Sequence, residues 1–249
     1  QAHIVLRRKL NEAQLKAREL GQYRLEEKLG EGGMGVVYRA RHALMRRPTA
    51  IKLLLPERAS PEAIRQFERE VHLTSELTHP NPIQIYDYGY TPDEVFYYVM
   101  EYLEGLTLKE LVNRFGPLPE SRAVYLLGQI CDALHEAHEK GVVHQDIKPA
   151  NIFIGQRAGI PDSVKVLDFG LVRQYRAEVG LASGANDGFG PVGTPSFMSP
   201  ESIQIPGSAD PRSDIYSPGA LGYFLVTGYR KSTRLNSSHD SPYRMPSSA

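Results

Sequence analysis

Apolar positions in the first hundred residues fall in short runs broken by Gly and Pro, several with a two-residue period. On this pattern Tyr23–Leu29, Val36–Arg41 and Ala50–Leu55 read as strands. Ser60-Pro61-Glu62 then opens a helix, with Ser at the cap and Pro in the first turn. At about 100° per residue, Ile64, Phe67, Val71 and Leu77 share one arc of that helix, and Glu70 falls inside it. Ile83–Tyr88 and Val95–Glu101 are two further strand-like runs. From Leu106 the character changes. Thr107–Phe115 and Pro119–Lys140 read as helices, the second long, amphipathic and ended by Gly141. Ser213–Thr227 is a further predicted helix. Its interior Pro218 costs about 3 kcal/mol and kinks the helix. Residues 4–20 read as a charged helix in which Leu6, Leu10 and Leu20 are widely spaced and Gly21 stops the run. Two readings of it stand: a linker helix over residues 1–22 leading from an upstream domain, or a juxtamembrane or coiled-coil segment. The first residue, Gln1, fits a piece of a longer protein.

Five strands with one helix, followed by a helix-rich part, predict an α+β chain in two parts. Its 249 residues suffice for a core without covalent staples. The 29 basic and 29 acidic residues balance, so nothing points to nucleic acid or an anionic surface. Cys131 is the only cysteine, which excludes an intrachain disulfide and a cysteine zinc cluster and fits a reducing, cytoplasmic setting. No apolar run approaches the roughly 20 residues of a membrane span. A tether through flanking segments stays open.

Three sets of residues carry chemistry. Gly30, Gly32 and Gly35 stand as G-x-G-x-x-G-x-V within Leu29-Gly30-Glu31-Gly32-Gly33-Met34-Gly35-Val36-Val37, between two predicted strands. Glycines let backbone N–H groups approach phosphates. A dinucleotide fingerprint would need a helix next, whereas Val36-Val37-Tyr38 continues as strand. The alternative is a glycine hairpin with no ligand. Lys52 lies in the apolar run Ala50-Ile51-Lys52-Leu53-Leu54-Leu55, where a lysine is costly unless paired. Glu70, on the inward arc of its helix, is the partner proposed, against the plainer reading of a solvated charge. The third set is His144-Gln145-Asp146-Ile147-Lys148-Pro149-Ala150-Asn151, with Asp168-Phe169-Gly170 beginning seventeen residues after Asn151.

Together these residues resemble the catalytic core of the eukaryotic-type Ser/Thr protein kinases, as found in bacteria. The resemblance covers residues 23–228 and implies a two-lobed fold. A five-stranded smaller lobe with one helix would span about 23–103, and a mainly helical, incomplete larger lobe about 104–228. It implies transfer of the ATP γ-phosphate to a protein Ser or Thr hydroxyl, with Asp146 accepting the hydroxyl proton and Lys148 neutralising the moving phosphate. Asn151 and Asp168 would ligate Mg²⁺. The flap residues Leu29 to Gly35, together with Val37, Ala50, Lys52, Glu70, Met100, Glu101 and Leu103, would bind the nucleotide. In the family the backbone of the segment Val99–Gly105 holds adenine, and the residue at Met100 gates the pocket behind it. Gly193-Thr194-Pro195 and Ser199-Pro200-Glu201 resemble the peptide-docking end of the activation loop. Arg212-Ser213-Asp214 resembles the start of the helix that anchors the catalytic loop, with Asp214 as its buried carboxylate. His79 has no chemistry assigned. A pseudokinase would be expected to lose Lys52, Asp146 or Asp168, and all three are present.

Four departures stand out. Gln145 replaces the usual Arg, which implies activity independent of activation-loop phosphorylation. Pro82 replaces an aliphatic residue, and Pro218 interrupts a helix. After Gly228 the kinase-like pattern stops. Arg230 to His239 and Arg244 to Ala249 look like a translated sequencing-library adapter, so residues 229–249 are expected to be non-native, the alternative being a disordered Ser-rich tail. The helices that complete the larger lobe would then be missing, leaving an inactive fragment as a further possibility.

Overall fold

Strands buried on one face or on both build the first half of the molecule. The computed structural model describes residues 19–32, 35–54, 61–91, 94–168, 173–174, 195–204 and 210–228. Its smaller lobe holds β1 (Glu19–Leu20), β2 (Tyr23–Glu31), β3 (Gly35–His42), β4 (Pro48–Leu54), β5 (Ile85–Tyr90) and β6 (Phe96–Glu101), with helix α1 (Pro61–Ser75) between β4 and β5. All strands pair antiparallel in the order β1-β2-β3-β4-β6-β5. These are the five predicted strands with β1 added. Residues 19–20, expected to end a charged helix, instead pair back on β2 across Gly21-Gln22, Leu20 opposite Tyr23. Burial decides this, because Leu20 sinks into the sheet core at 3% exposure. The sheet therefore begins before residue 23, and the rest of the expected helix lies outside the described residues.

The sheet is apolar on both faces. Val36, Tyr38, Ile51, Leu53 and Val99 cluster with Leu20, Tyr23, Leu25 and Ala40 on one face. On the other, Leu54, Phe96 and Tyr98 pack against Phe67 and Val71 of α1, with Ile64 at the edge. Each such side chain fully buried contributes about 1.5–3 kcal/mol. Leu77, placed on the same arc by periodicity, lies beyond the end of α1 and packs on the larger lobe instead.

The larger lobe is built on α2 (Leu108–Phe115), α3 (Glu120–Glu139) and α5 (Pro211–Thr227), with a short α4 (Pro200–Gln204). Its core joins Leu126, Ile130 and Leu134 of α3 to Leu221, Phe224 and Leu225 of α5. A capping box starts α2: Thr107 Oγ1 accepts from the Glu110 amide at 3.2 Å, and Glu110 Oε2 accepts from the Thr107 amide at 2.8 Å. Asp210 caps α5, which continues through the buried Pro218 to a left-handed Gly228. Pro218 removes the N–H that would bond the Asp214 carbonyl. Periodicity did not reveal β7 (Gly105–Thr107), β9 (Ile152–Arg157) and β10 (Ile160–Val166), which form a sheet in the order β10-β9-β7. Nor did it reveal β8 (Val142–Val143), paired with β11 (Arg173–Gln174). At Gly105 a Cβ would lie 2.0 Å from the Ile154 carbonyl oxygen, so only glycine fits this pairing. No helix among the described residues is long and apolar enough to cross a membrane.

The segment between α1 and β5 fastens the lobes together. Glu136 of α3 accepts from the Thr78 amide at 2.8 Å, the Thr78 hydroxyl at 2.7 Å and the His79 amide at 2.8 Å. His79 thus serves structure, as expected. Asn81 Nδ2 donates to the Val164 carbonyl at 2.7 Å. Pro82 forms a parallel bridge with Val166, but its neighbours make the bonds: Val166 N–H to Asn81 O and Ile83 N–H to Val166 O. The proline's missing N–H therefore costs nothing at this position.

Burial acts to raise the Glu136 carboxyl pKa, but the bonds from Thr78, His79 and Lys140 outweigh it and hold the group at about 2. A carboxyl depressed below its unfolded value stabilises the fold above the unfolded pKa, and that stability is lost as pH falls through the folded one. We expect Glu136→Gln to cost about 2 kcal/mol at pH 7, the full shift being reduced by partial exposure. Urea unfolding from pH 7 to pH 2 checks this: the wild-type advantage should shrink steadily below about pH 5.

Candidate active site

The loop 144–151 leaves β8 without regular structure and is held by one carboxylate. Asp214, fully buried at the start of α5, accepts from the His144 amide at 2.7 Å and the Gln145 amide at 2.8 Å. Its Oδ2 also meets His138 Nε2 of α3 at 2.9 Å. Two successive backbone donors can converge on one carboxylate because Gln145 takes a left-handed conformation, φ 66°. The Asp214 expectation is met. The side-chain Nε2 of Gln145, by contrast, is buried with no hydrogen-bond partner among the described residues.

His144 is itself buried and sets the next turn. Its Nδ1 accepts from the Asp146 amide at 3.2 Å, so Nε2, 3.1 Å from the Leu167 carbonyl, carries the proton. Asp146 is then clasped from within its own loop. Lys148 Nζ donates to Asp146 Oδ2 at 2.5 Å, and Asn151 Nδ2 donates to the same oxygen and to the Asp146 carbonyl, both at 3.0 Å. Two acceptors on one side of Asn151 fix its amide orientation, which turns Oδ1 the other way. The Leu167 amide donates to the Asn151 carbonyl at 2.8 Å, which brings the chain to Asp168.

Asp168 closes the set. It also adopts a left-handed conformation, φ 52°. Lys52 Nζ, from the opposite lobe, donates to its Oδ1 at 2.6 Å. Burial acts to raise the Asp168 pKa, but Lys52, with His144 and Lys148 adding to it, holds the carboxyl below its usual range. The Lys52–Asp168 pair and the Asp146–Lys148–Asn151 cluster, dispersed over 117 positions of sequence, are thus joined through the Leu167 N–H to Asn151 carbonyl bond. The side chain of Glu70 lies outside the described residues, as do Phe169, Gly170 and most of the expected activation loop.

Strand register places the other expected residues. Val37 pairs with Lys52, and Ala50 with Met100, so all four share the sheet face above this group. Met100 packs at the edge of the α1-facing core. Leu29 is half-exposed, and Gly30, Glu31 and Gly32 are exposed at the β2–β3 tip, closed by a Gly32 N–H to Gly35 O bond of 2.9 Å. The Glu31 side chain pairs with Lys28 at 2.7 Å. Gly33 and Met34 lie outside the described residues. Gly35 is required by packing, since a Cβ would sit 2.2 Å from the Leu53 carbonyl oxygen. At the link between lobes Leu103 is partly buried, and its amide makes no hydrogen bond among the described residues.

Glu101 does not turn its side chain to the cleft. It pairs with Lys165 of β10 and accepts from the Gln84 amide at 2.9 Å. Lys165 also donates to the Pro82 carbonyl at 3.1 Å. Burial pushes the Lys165 ammonium pKa down, partly offset by Glu101. Sequence reasoning missed Lys165, although the signal was the one that marked Lys52: a lysine within an apolar run, here Val164-Lys165-Val166.

The carboxylate of Asp146, clasped within its own loop, thus lies in the same part of the molecule as the Lys52–Asp168 pair that joins the two lobes. The protein kinase domain family model matches residues 23–244, and the chain belongs to that family. It is 41% identical over 209 residues to serine/threonine-protein kinase pkn3 of Myxococcus xanthus, covering 83% of this chain and 38% of that protein. It is 39% identical over 209 residues to serine/threonine-protein kinase PrkC of Bacillus subtilis, covering 84% and 31%. With serine/threonine-protein kinase PknB of Mycobacterium leprae it shares 36% identity over 211 residues, covering 83% and 32%. The chain therefore spans about a third of the length of these curated relatives.

Asp214→Asn replaces one acceptor oxygen by a donor and should leave a loop amide unsatisfied. We expect a loss of about 3 kcal/mol in chemical denaturation. Stability unchanged within about 0.5 kcal/mol would overturn the anchoring role.

Proposed function

We propose that this chain carries an ATP-dependent protein serine/threonine kinase activity, moving the γ-phosphate of ATP to a protein Ser or Thr hydroxyl and releasing ADP. Membership of the protein kinase family supports ATP use, and the relatives' names support Ser/Thr as acceptor. The observation that carries the reading is the double clasp of Asp146 by Lys148 and Asn151, next to the Lys52–Asp168 pair. Asp146 is the group for the acceptor hydroxyl, which it orients and whose proton it takes. Lys148, tethered to it, lies where charge on the moving phosphoryl group needs neutralising. Lys52 reaches the cleft from β4 and serves the α- and β-phosphates.

The chemistry of the donors also fits Mg²⁺. Asn151 spends its NH₂ on Asp146 and keeps Oδ1, and Asp168 spends Oδ1 on Lys52 and keeps Oδ2. No cluster of three or more His, Cys, Asp or Glu exists among the described residues. Mg²⁺ needs none, since one or two protein oxygens with phosphates and water complete its shell. When bound there, the ion would supply charge neutralisation to the phosphates. Leu29, Val37, Ala50 and Met100 supply apolar walls for adenine, and the free Leu103 amide offers it a donor. For Glu101 only the backbone is left to that role.

The test is phosphate transfer from radiolabelled ATP to a general Ser/Thr acceptor by the 249-residue chain, with Mg-ATP binding followed separately by calorimetry. We expect Asp146→Asn to bind Mg-ATP within about 3-fold of wild type while transfer drops by a factor of about 100 or more. Asp168→Asn should weaken Mg²⁺-dependent nucleotide binding itself. Nucleotide binding by the wild type with no transfer to any hydroxyl would replace the enzyme by an ATP-binding scaffold.

A further inference from the structure

Resting on the kinase reading, we infer that Phe67 and Tyr98 are positioning residues that form an aromatic clamp on the Lys52 ammonium. Lys52 and Tyr98 face each other directly across β4 and β6. Lys52 Nζ lies 5.6 Å from the centre of the Tyr98 ring and 5.3 Å from that of Phe67. The rings stand 5.2 Å apart and tilted by 44°, so the ammonium sits in the corner between two aromatic faces. All three residues are buried: Lys52 is 7% exposed, Tyr98 2% and Phe67 not at all. Phe96 locks Phe67 from behind, edge-on at 5.4 Å.

The physical case concerns what a buried ammonium requires. It has lost most of its water, and its position decides whether its N–H groups reach phosphate. Aromatic faces attract a cation through their quadrupole while leaving its charge uncancelled. They hold Nζ from the side, without consuming a donor that Asp168 or a phosphate would use. An aliphatic wall of equal size would bury the stem of Lys52 as well but would add no attraction on Nζ to that of its ion pair with Asp168. This separates a positioning role from mere core filling: aromaticity matters at 98 and 67, beyond hydrophobic volume.

The experiment uses the full chain labelled with ¹³C at lysine Cε, Lys52 being assigned by its loss in Lys52→Arg. Ring currents should move the Lys52 Cε protons upfield of the exposed lysines. Tyr98→Phe should keep that shift and bind Mg-ATP within about 2-fold of wild type, since it keeps the ring. Tyr98→Leu and Phe67→Leu, which fill the core without a π face, should each move the resonance toward the exposed value and weaken Mg-ATP binding about 3- to 10-fold. A wild-type Lys52 resonance at the exposed position overturns the clamp without any variant, so it remains decidable if a leucine variant does not fold. So does a Tyr98→Leu protein with wild-type resonance and affinity, and so does a Tyr98→Phe protein that behaves like Tyr98→Leu. Failure of Mg-ATP to perturb Lys52 in the wild type counts instead against the nucleotide site, and leaves the ring-current result to judge the clamp alone.

Discussion

A buried carboxylate with its charge satisfied by backbone is the constraint on which the rest of the site depends. Burying an unpaired ionised carboxyl is prohibitive, and Asp214 escapes this only because two loop amides and His138 turn toward it. The requirement works in both directions. The loop cannot leave without exposing Asp214 to an apolar interior, and Asp214 cannot shift without freeing the loop. The α3–α5 core fixes where Asp214 sits. From there the order passes through the left-handed Gln145 to His144, and then to the orientation of Asp146. Helix packing is thus converted into the placement of a single carboxyl group.

Charge is arranged around this loop in local pairs. Lys148 meets Asp146, Lys52 meets Asp168, and Lys165 meets Glu101. The first pair lies within one loop, whereas the other two join the lobes. Buried and partly buried pairs of this kind contribute little net stability, since desolvation offsets attraction, but separating the buried one, Lys165–Glu101, is costly. They therefore act more as geometric selectors than as sources of stability. Lys52 is paired across the lobe boundary, and under the proposed function it would exchange that partner for phosphate. Lys165 sits behind the link and is closed in by Glu101 and the Pro82 carbonyl.

Much of this was legible from residue order. Two-residue alternation found β2 to β6 because one strand face or both are buried, and the 3.6-residue period found α3 because only one of its sides is. The octet from His144 to Asn151, with Asp168 downstream, picked out side chains that the fold brings close together, since the proposed chemistry needs those side-chain types at close spacing. Legibility failed where pairing partners decide. Glu19-Leu20 continues a charged, helix-like run and becomes a strand only because Tyr23-Arg24 lies one turn away. The hairpin of β9 and β10 carries its alternation in Ile152 and Ile154 and in Val164 and Val166, but it directly follows a motif that reads as loop. Side-chain destinations were harder still. Glu101 has the same composition of neighbours whether it faces the cleft or Lys165, and only the 64-residue return of the chain to β10 settles it. Pro82 looked like a defect by rule, yet it stands at a parallel bridge position whose bonds are made by its neighbours.

The fastening of residues 78–83 to α3 and β10 has a mechanical corollary. This stretch begins just after Ser75, where α1 ends, so that end of the helix is riveted to the larger lobe although its body packs on the sheet of the smaller one. Translation of α1 along the cleft is then blocked. The motion left to it is a swing about its own C-terminal end, in which displacement grows with distance from Ser75. Position 70 sits a little over one turn from that pivot and would sweep a short arc. The first turn, near Pro61, would sweep the longest, and it is there that an outside contact would gain the most leverage over the cleft.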